Sequence, residues 1–247
     1  MAIKLGSTDI NSVNLGSINL NRIYSGLDIV FGSEFDFGNA LQFDGVNDYV
    51  EFNSDSGPTS AQNFFVSLWF KTTSTTIQAL LGGVSAISGC WIIDPTTIRV
   101  FYGNNSYIYN YTLPAFNDGN WHHIMFGRES DGLTLFFVMD GIDYSAGSTN
   151  LSMQLRRLGT NQVLSRPFNG VMDEVVIAYE EPTLAKALQA YNSGSGSDPS
   201  TYLTGSAKLI YHLNESGTTT TTIDDSGNGN NGTLNNFTTP PDYWVAH

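Results

Sequence analysis

An antiparallel all-β sandwich is the fold this sequence predicts. Three observations point there. β-type runs recur at short spacing between positions 35 and 180, Gly, Asn and Asp turns separate them, and helical periodicity is nearly absent. The length agrees: 247 residues, 40% apolar and 13% aromatic, can build one large core. Sandwiches often reach this size as one domain.

The first 33 residues hold a ten-residue repeat. Leu5, Gly6 and Ser7 return as Leu15, Gly16 and Ser17, and Gly26 keeps the phase. Ile10, Leu20 and Val30 align, as do Asn11 with Asn21 and Val13 with Ile23. Each unit offers a short β-type run (residues 10–13, 20–24 and 27–31) and a Gly-Ser or Ser-Gly turn, which predicts a small β-meander. Such a meander buries little by itself and is expected to dock on something.

The sandwich proper starts with ALQFDGVNDYVEF (residues 40–52), two apolar runs around an Asp-Gly-Val-Asn-Asp turn. FFVSLWF (64–70) is dense in aromatics and is expected to be a central strand buried on both faces. Further runs follow at 79–81, 90–93, 98–102, 107–111, 121–127, 133–139 and 171–179. One helix stands out: Pro182 and Thr183 open it, Leu184, Leu188 and Tyr191 recur at i, i+4 and i+7, and Asn192, Ser193 and Gly194 close it. Residues 193–200 are a Ser/Gly/Asp/Pro stretch, expected to be a linker or exposed loop. The end of the chain carries one strand (208–213), a Thr run, an Asn/Gly/Asp loop and an aromatic tail.

Composition excludes several partners. Only 13% of residues are charged, against a usual share of roughly 25%, and the formal net charge is −13. Nucleic acid and anionic membranes need a basic patch, so neither is an expected partner. No run approaches the length of a membrane span and the first residues lack the apolar core of a signal peptide, which implies synthesis without cleavable export. The single cysteine, Cys90, allows no internal disulfide and is expected to be a small buried hydrophobe.

Four segments together carry a resemblance: residues 40–52, FFVSLWFK (64–71), DGNWHHIMFGRESDGLTLFFVMDGI (118–142) and FNGVMDEVVIAYEEPTLAKALQAYNSG (168–194). In residues, order and spacing they resemble the laminin-G-like, pentraxin-related branch of concanavalin A-like lectin/glucanase domains. The resemblance implies a jelly roll of two antiparallel sheets with binding loops along one edge. LIYHLNESGTTTTTIDDSGNGNNGTLNNF (209–237) resembles the segment that normally precedes the ALQFDG strand, yet here it comes last. Either the chain is permuted, with 207–237 completing a sandwich of 34–247, or a second copy begins and stops. A lone strand with an aromatic tail would leave apolar surface bare, which favours permutation. The N-terminal repeat is similar to Leu-Gly-Ser repeats that open bacteriophage virion proteins, which implies that residues 1–33 anchor the sandwich to a particle.

Candidate sites follow. Gly227, Gly229 and Gly232 spell G-x-G-x-x-G, but a Thr run precedes them and no helix follows, so a dinucleotide is excluded. The same loop offers carboxylate, amide and backbone oxygens on a Gly-rich path, which suits calcium. The resemblance implies a structural Ca2+ on Asp224 or Asp225, Asn228, Asn230 and Asp173. Plain turn chemistry is the competing reading. Asp44, Asn47 and Asp48 form a second acidic loop; in pentraxin-like relatives a comparable loop contributes to ligand binding. Tyr107, Tyr109 and Tyr111 share one strand face beside Asn104, Asn105 and Asn110, an arrangement suited to stacking on sugar rings or to packing the core or a subunit contact. His122 and His123 are expected on opposite faces of a strand, one packed inside and one at the surface. Catalysis is not expected. The glycosidases of this fold place two carboxyls about 5 Å apart on one strand face, and here no Glu-x-Asp-x-Glu string exists. Asp173 and Glu174 are adjacent, which would send them to opposite faces.

The sequence therefore predicts a non-enzymatic virion protein, a fibre or decoration of head or tail, whose lectin-like domain contacts host-surface glycan. It is expected to be oligomeric, with a trimer as the guess. A decoration protein without any ligand is the rival reading.

Overall fold

A computed structural model describes residues 35–205, 207–238 and 243–247, together with the backbone of six short strands before them. The chain divides after Asp36 into two units. In the first, β1 (Lys4–Leu5) pairs with β2 (Thr8–Asp9), β3 (Val13–Leu15) with β4 (Ile18–Leu20), and β5 (Ile23–Ser25) with β6 (Asp28–Phe31). Leu5, Leu15 and Ser25 end the first strands, and Thr8, Ile18 and Asp28 open the second. Each ten-residue unit is thus its own hairpin, and the three ladders are separate where one continuous meander was expected. The expected run at 10–13 lies mostly outside the described residues.

The second unit is the sandwich. In chain order its strands are β7 (Asn39–Asp44), β8 (Tyr49–Phe52), β9 (Phe64–Lys71), β10 (Gln78–Gly82), β11 (Gly89–Asp94), β12 (Thr97–Tyr102), β13 (Tyr107–Thr112), β14 (His122–Arg128), β15 (Leu135–Met139), β16 (Ile142–Asp143), β17 (Arg157–Leu158), β18 (Asn169–Ala178), β19 (Ala207–Tyr211), β20 (Thr221–Thr222), β21 (Gly232–Asn235) and β22 (Trp244–Ala246). The first sheet runs β13-β12-β11-β10-β17-β8-β21-β20. The second runs β16-β15-β14-β9-β18-β7-β22, with β19 also paired to β18. Strands of the C-terminal segment therefore lie in both sheets: β19 beside β18, β21 beside β8.

Alternation explains the core. Inward positions of the two sheets, such as Phe43, Phe52, Leu68, Phe70, Val100, Phe126, Phe137 and Ile177, form one apolar cluster. Each such side chain contributes roughly 1.5–3 kcal/mol by leaving water. One cation sits among them. Arg128, fully buried, donates to the carbonyls of Thr59, Gln62, Thr149 and Leu151 at 2.7–3.1 Å and ties β14 to two rim loops.

The outer faces differ. β9 is buried on both sides, as its aromatic density predicts, because α1 (Leu184–Tyr191) and its flanking turns cover the second sheet. Thr183 caps α1, its Oγ1 accepting from Lys186 N–H at 3.2 Å, and Asn192 closes it in the left-handed region. The face turned to the sheet is Ala187 and Ala190, packed near Phe65, Met125 and Phe136; Leu184 and Leu188 are exposed. Small residues let the helix lie close over a sheet face already filled by aromatics. Residues 193–200 are no free linker. They form two short 3-10 turns, the second (Pro199–Thr201) capped by Asp198, whose carboxylate accepts from Ser200 N–H at 2.8 Å. Tyr202 then plugs into the same apolar layer. Over the first sheet lies a loop: a Cβ on Gly82 would come within 2.5 Å of Thr160 O. No helix among the described residues is long and apolar enough to cross a membrane.

Candidate functional site

The site begins with a fault in β18. Asp173 lies opposite Trp69 and Val176 opposite Ser67, so two residues face Leu68 alone. Met172 and Val175 both point to the core. The intervening Asp173 and Glu174 consequently share the outer face, where simple alternation had placed them on opposite faces; the β-bulge is the reason. Glu174 has φ +49°, in the left-handed region that a non-glycine residue adopts at a cost on the order of 1 kcal/mol.

Each carboxylate meets a histidine. Asp173 Oδ2 is 2.7 Å from His247 Nδ1, and the His247 ring lies between Phe37 (3.5 Å) and Trp121 (3.9 Å), nearly parallel to both. Burial raises Asp173 to about 10, Glu174 adding to it, while burial and then Lys71 lower His247 to about 4. Both shifts favour a neutral pair, in which the carboxyl O–H donates a hydrogen bond to His247 Nδ1. Glu174 meets His212, which follows β19: both carboxylate oxygens are 2.9 Å from Nδ1. Burial holds the Glu174 carboxyl above its ordinary range although His212 pulls the other way. The hydrogen bond it donates to Glu174 holds His212 above its own, outweighing burial. His212 Nε2 points toward Asp225, 3.7 Å from Oδ2.

His212 and Asp225 open into a groove of about 530 Å³. Asp198, Ser200, Thr204 and Ser226 supply further polar groups, and Pro199, Leu203 and Ile210 supply an apolar wall. Converging acceptors and hydroxyls beside an apolar wall suit a polyol, and the buried Glu174 fixes the imidazole so that Nε2 is presented outward.

The loop expected to hold calcium does different work. Asp224 Oδ1 accepts from Ile210 and Ser226 N–H at 3.1 and 3.0 Å, and Oδ2 accepts from Asn230 N–H at 2.9 Å. Asn228 Nδ2 donates to the carbonyls of Ala207 and Lys208. Asn230 Oδ1 accepts from Ser54 N–H and its amide donates to Ser56 Oγ. The loop thus covers the open edge of β19. Asp224, Asn228 and Asn230 are brought together, Asp225 turns to His212, and Asp173 is bound to His247. The five do not converge on one point, since Asp225 faces His212 and Asp173 faces His247 while N–H donors surround Asp224. Among the described residues no three acidic, His or Cys side chains converge as metal ligands.

Asp44, Asn47 and Asp48 are also brought together, as the rim turn where the chain passes from β7 to β8. Asp44 Oδ1 accepts from Val46 and Asn47 N–H, and Asp48 Oδ2 accepts from Asp44 N–H. Burial pushes Asp48 up to about 6. These carboxylates bond their own backbone and face no cavity described above. Tyr107, Tyr109 and Tyr111 share a face as alternation requires, but it is the inner one. Tyr111 stacks on Phe137 at 4.0 Å, Tyr109 lies 4.8 Å from Tyr111, and Tyr107 OH accepts from Ser148 N–H. The outward positions of β13 are Ile108 and Asn110; Tyr111 is part of the core, and Tyr107 and Tyr109 pack against it half-buried. His123 is fully buried under α1 against Ser67 Oγ at 2.8 Å, and His122 lies between Asp140 and Asp118.

Two antiparallel eight-stranded sheets, with a helix on one outer face and functional groups in grooves at the surface, define a lectin-type β-sandwich. Residues 44–187, more than half of the chain, match the concanavalin A-like lectin/glucanases superfamily in its laminin G form, and the chain belongs to that family. No curated protein matches the sequence. Among solved structures, a Bacteroides ovatus protein provisionally described as carbohydrate binding aligns with TM-score 0.64 and 18% identity. The alignment covers 90% of this chain and 66% of that protein's length. The heptameric SAP-like pentraxin of Limulus polyphemus aligns with TM-score 0.52 and 12% identity over 67% of this chain and 87% of its own. At such identities the likeness speaks for the fold.

Proposed function

We propose that the sandwich is a carbohydrate-binding module without catalytic activity and that sugar occupies the groove at His212. The observation that carries this reading is the imidazole fixed by buried Glu174, its Nε2 aimed with Asp225 and Asp198 into a groove walled by Pro199, Leu203 and Ile210. Nε2 and the serine and threonine hydroxyls serve sugar hydroxyls, and the apolar wall serves the ring's C–H face. Membership of the lectin/glucanase family supports it, as does the description of the Bacteroides ovatus protein. His212 stands between Glu174 and Asp225, so those two carboxylates do not flank one glycosidic bond, which argues for holding over cleaving. In the wider protein, residues 1–33 would fasten the module to a phage-like particle as an oligomer, a trimer by our guess; three hairpins in register with the repeat suit a docking element.

Glycan-array binding tests the core of this. Binding of neutral glycans is expected, lost in His212→Ala and Asp225→Asn and unchanged by a calcium chelator, because the polar groups of the groove at His212 bind sugar hydroxyls directly. No binding by folded protein would return the chain to a purely structural role, and release of reducing sugar would overturn the non-catalytic reading. Immunogold labelling of particles tests the anchoring, which absence from virions would refute.

A further inference from the structure

The outer face of the first sheet carries a second concavity, of about 310 Å³, that the groove reading does not use. Glu51, Asn53, Arg156, Thr233 and Asn235 line it. Cross-strand register builds it: Arg157 lies opposite Glu51, and Glu51 opposite Thr233. Arg157 donates through Nε and Nη2 to Glu51 Oε2, both at 3.0 Å, and its guanidinium lies over the Tyr49 ring. That pairing consumes the one carboxylate of the patch. Arg156 is left with a longer approach, 3.8 Å to Glu51 Oε1. Its Nε–H goes to Phe52 O at 3.2 Å and an Nη2–H to Asn53 O at 3.5 Å. Both Nη1–H groups have no protein acceptor among the described residues. The backbone carbonyls fix the plane of the guanidinium while its far side faces the concavity, one-third exposed.

We propose that this face is a second binding site, which takes a sugar bearing an oxyanion and receives it on Arg156. Two guanidinium groups against one carboxylate give the patch a local positive charge in a chain of net charge −13. The groove at His212 is bordered by Asp198 and Asp225 and has the opposite sign. A planar guanidinium with free N–H groups fits a carboxylate, sulfate or phosphate through paired bonds. The Thr233 hydroxyl and the Asn53 and Asn235 amides, beside it on the sheet, suit the ring hydroxyls of the same ligand. Asn235 is pre-set for this, its Nδ2 bonded to Thr233 O at 2.9 Å and its Oδ1 left to accept.

Isothermal titration of the full chain with trigalacturonate, and with its fully methyl-esterified form, tests the proposal. Galactose 6-sulfate and galactose 6-phosphate in parallel arms establish which oxyanion is preferred. Expected is binding of an acidic probe that weakens with added salt, is about tenfold weaker or worse for the ester, and falls by about tenfold in Arg156→Gln. Arg156→Lys, which keeps the charge and loses the planar fork, should recover only part of the affinity. Thermal melts establish that the variants are folded. Equal affinity for acid and ester, no binding of any acidic probe, or undiminished binding in folded Arg156→Gln would each overturn it. Absence of acidic-sugar binding by the unmodified chain, with neutral-glycan binding present, condemns this site alone, and the converse condemns the groove alone.

Discussion

The two outer faces of the sandwich obey the same two-residue alternation and end with opposite chemistry. On the second sheet, α1 and the 3-10 turn after Asp198 cover the outward positions, and His123, Asp173 and Glu174 are sealed beneath them or at their margin. On the first sheet the outward positions around Glu51, Arg156 and Arg157 stay partly open, with only the loop at Thr160 laid across Gly82. Covering a face decides what an ionisable group there must do. Under a roof it has to be paired or neutral, whereas in the open it keeps its charge at little cost. Variants on the two faces should therefore differ sharply in energy.

The largest effect is expected at His212. Removing it in His212→Ala strands Glu174, which is almost wholly buried, and breaking a buried pair from one side costs about 3 kcal/mol or more. Urea unfolding measures it. A loss below about 1 kcal/mol would mean that water reaches Glu174 freely and that this margin of the roof is no roof at all.

Acid should come next, through His123. Burial lowers its pKa to about 3 from 6.5, with Nδ1 left unpartnered beneath α1. Above pH 6.5 the ring is neutral in both states and the term is constant. Between 6.5 and 3 the unfolded chain takes a proton that the folded chain refuses, so stability falls as pH drops, by about 1.4 kcal/mol per unit. His123→Gln should lose that slope: from pH 6 to 4 the wild type should lose roughly 2–3 kcal/mol more than the variant. Parallel pH profiles would show that the helix admits water over this ring.

Steric tolerance should separate the faces as well. Ala187→Leu forces a branched side chain between α1 and the sheet and should cost about 1–3 kcal/mol. Thr233→Leu, an outward position on the first sheet, should stay within about 0.5 kcal/mol. Equal costs in chemical denaturation would mean that the two faces are equally packed, and the steric distinction between them would fall.

The faces were unequally legible in the sequence. The long strands could be read because the inner face imposes a period of two. FFVSLWF announced by its aromatics that both its sides are covered. Two-residue strands such as β16, β17 and β20 carry too few positions for any period to show. Alternation also put Tyr107, Tyr109 and Tyr111 on one face without saying which, since that phase is set by Phe137 across the core. The bulge at Glu174 left no mark: Met-Asp-Glu-Val reads as ordinary alternation until the Trp69 and Ser67 register is known. His212 could not be found for the same reason, because its partner was expected on the other face. The Asp224 loop was read correctly as oxygen-rich, yet donors from β19 and Ser54 claimed those oxygens, and such donors are invisible in one dimension. Residues 193–200 looked like a linker or exposed loop by composition, while Asp198 before Pro199 is equally the signature of a capped turn.

A further small effect is expected on the open face, and it is the most discriminating. Glu51 and Arg157 meet at 3.0 Å through two guanidinium nitrogens, two donors where His212 offers Glu174 one. If geometry governed, this pair would be the stronger. If cover governs, it is the weaker, because Glu51 is 30% exposed where Glu174 is 4%. A double-mutant cycle with Glu51→Gln and Arg157→Gln should give a coupling below about 1 kcal/mol, shrinking with added salt. The matching cycle with Glu174→Gln and His212→Gln should give a larger and nearly salt-independent value. A Glu51–Arg157 coupling above about 2 kcal/mol would mean that the loop at Thr160 seals the first sheet as α1 seals the second, and the distinction between the faces would fall with it.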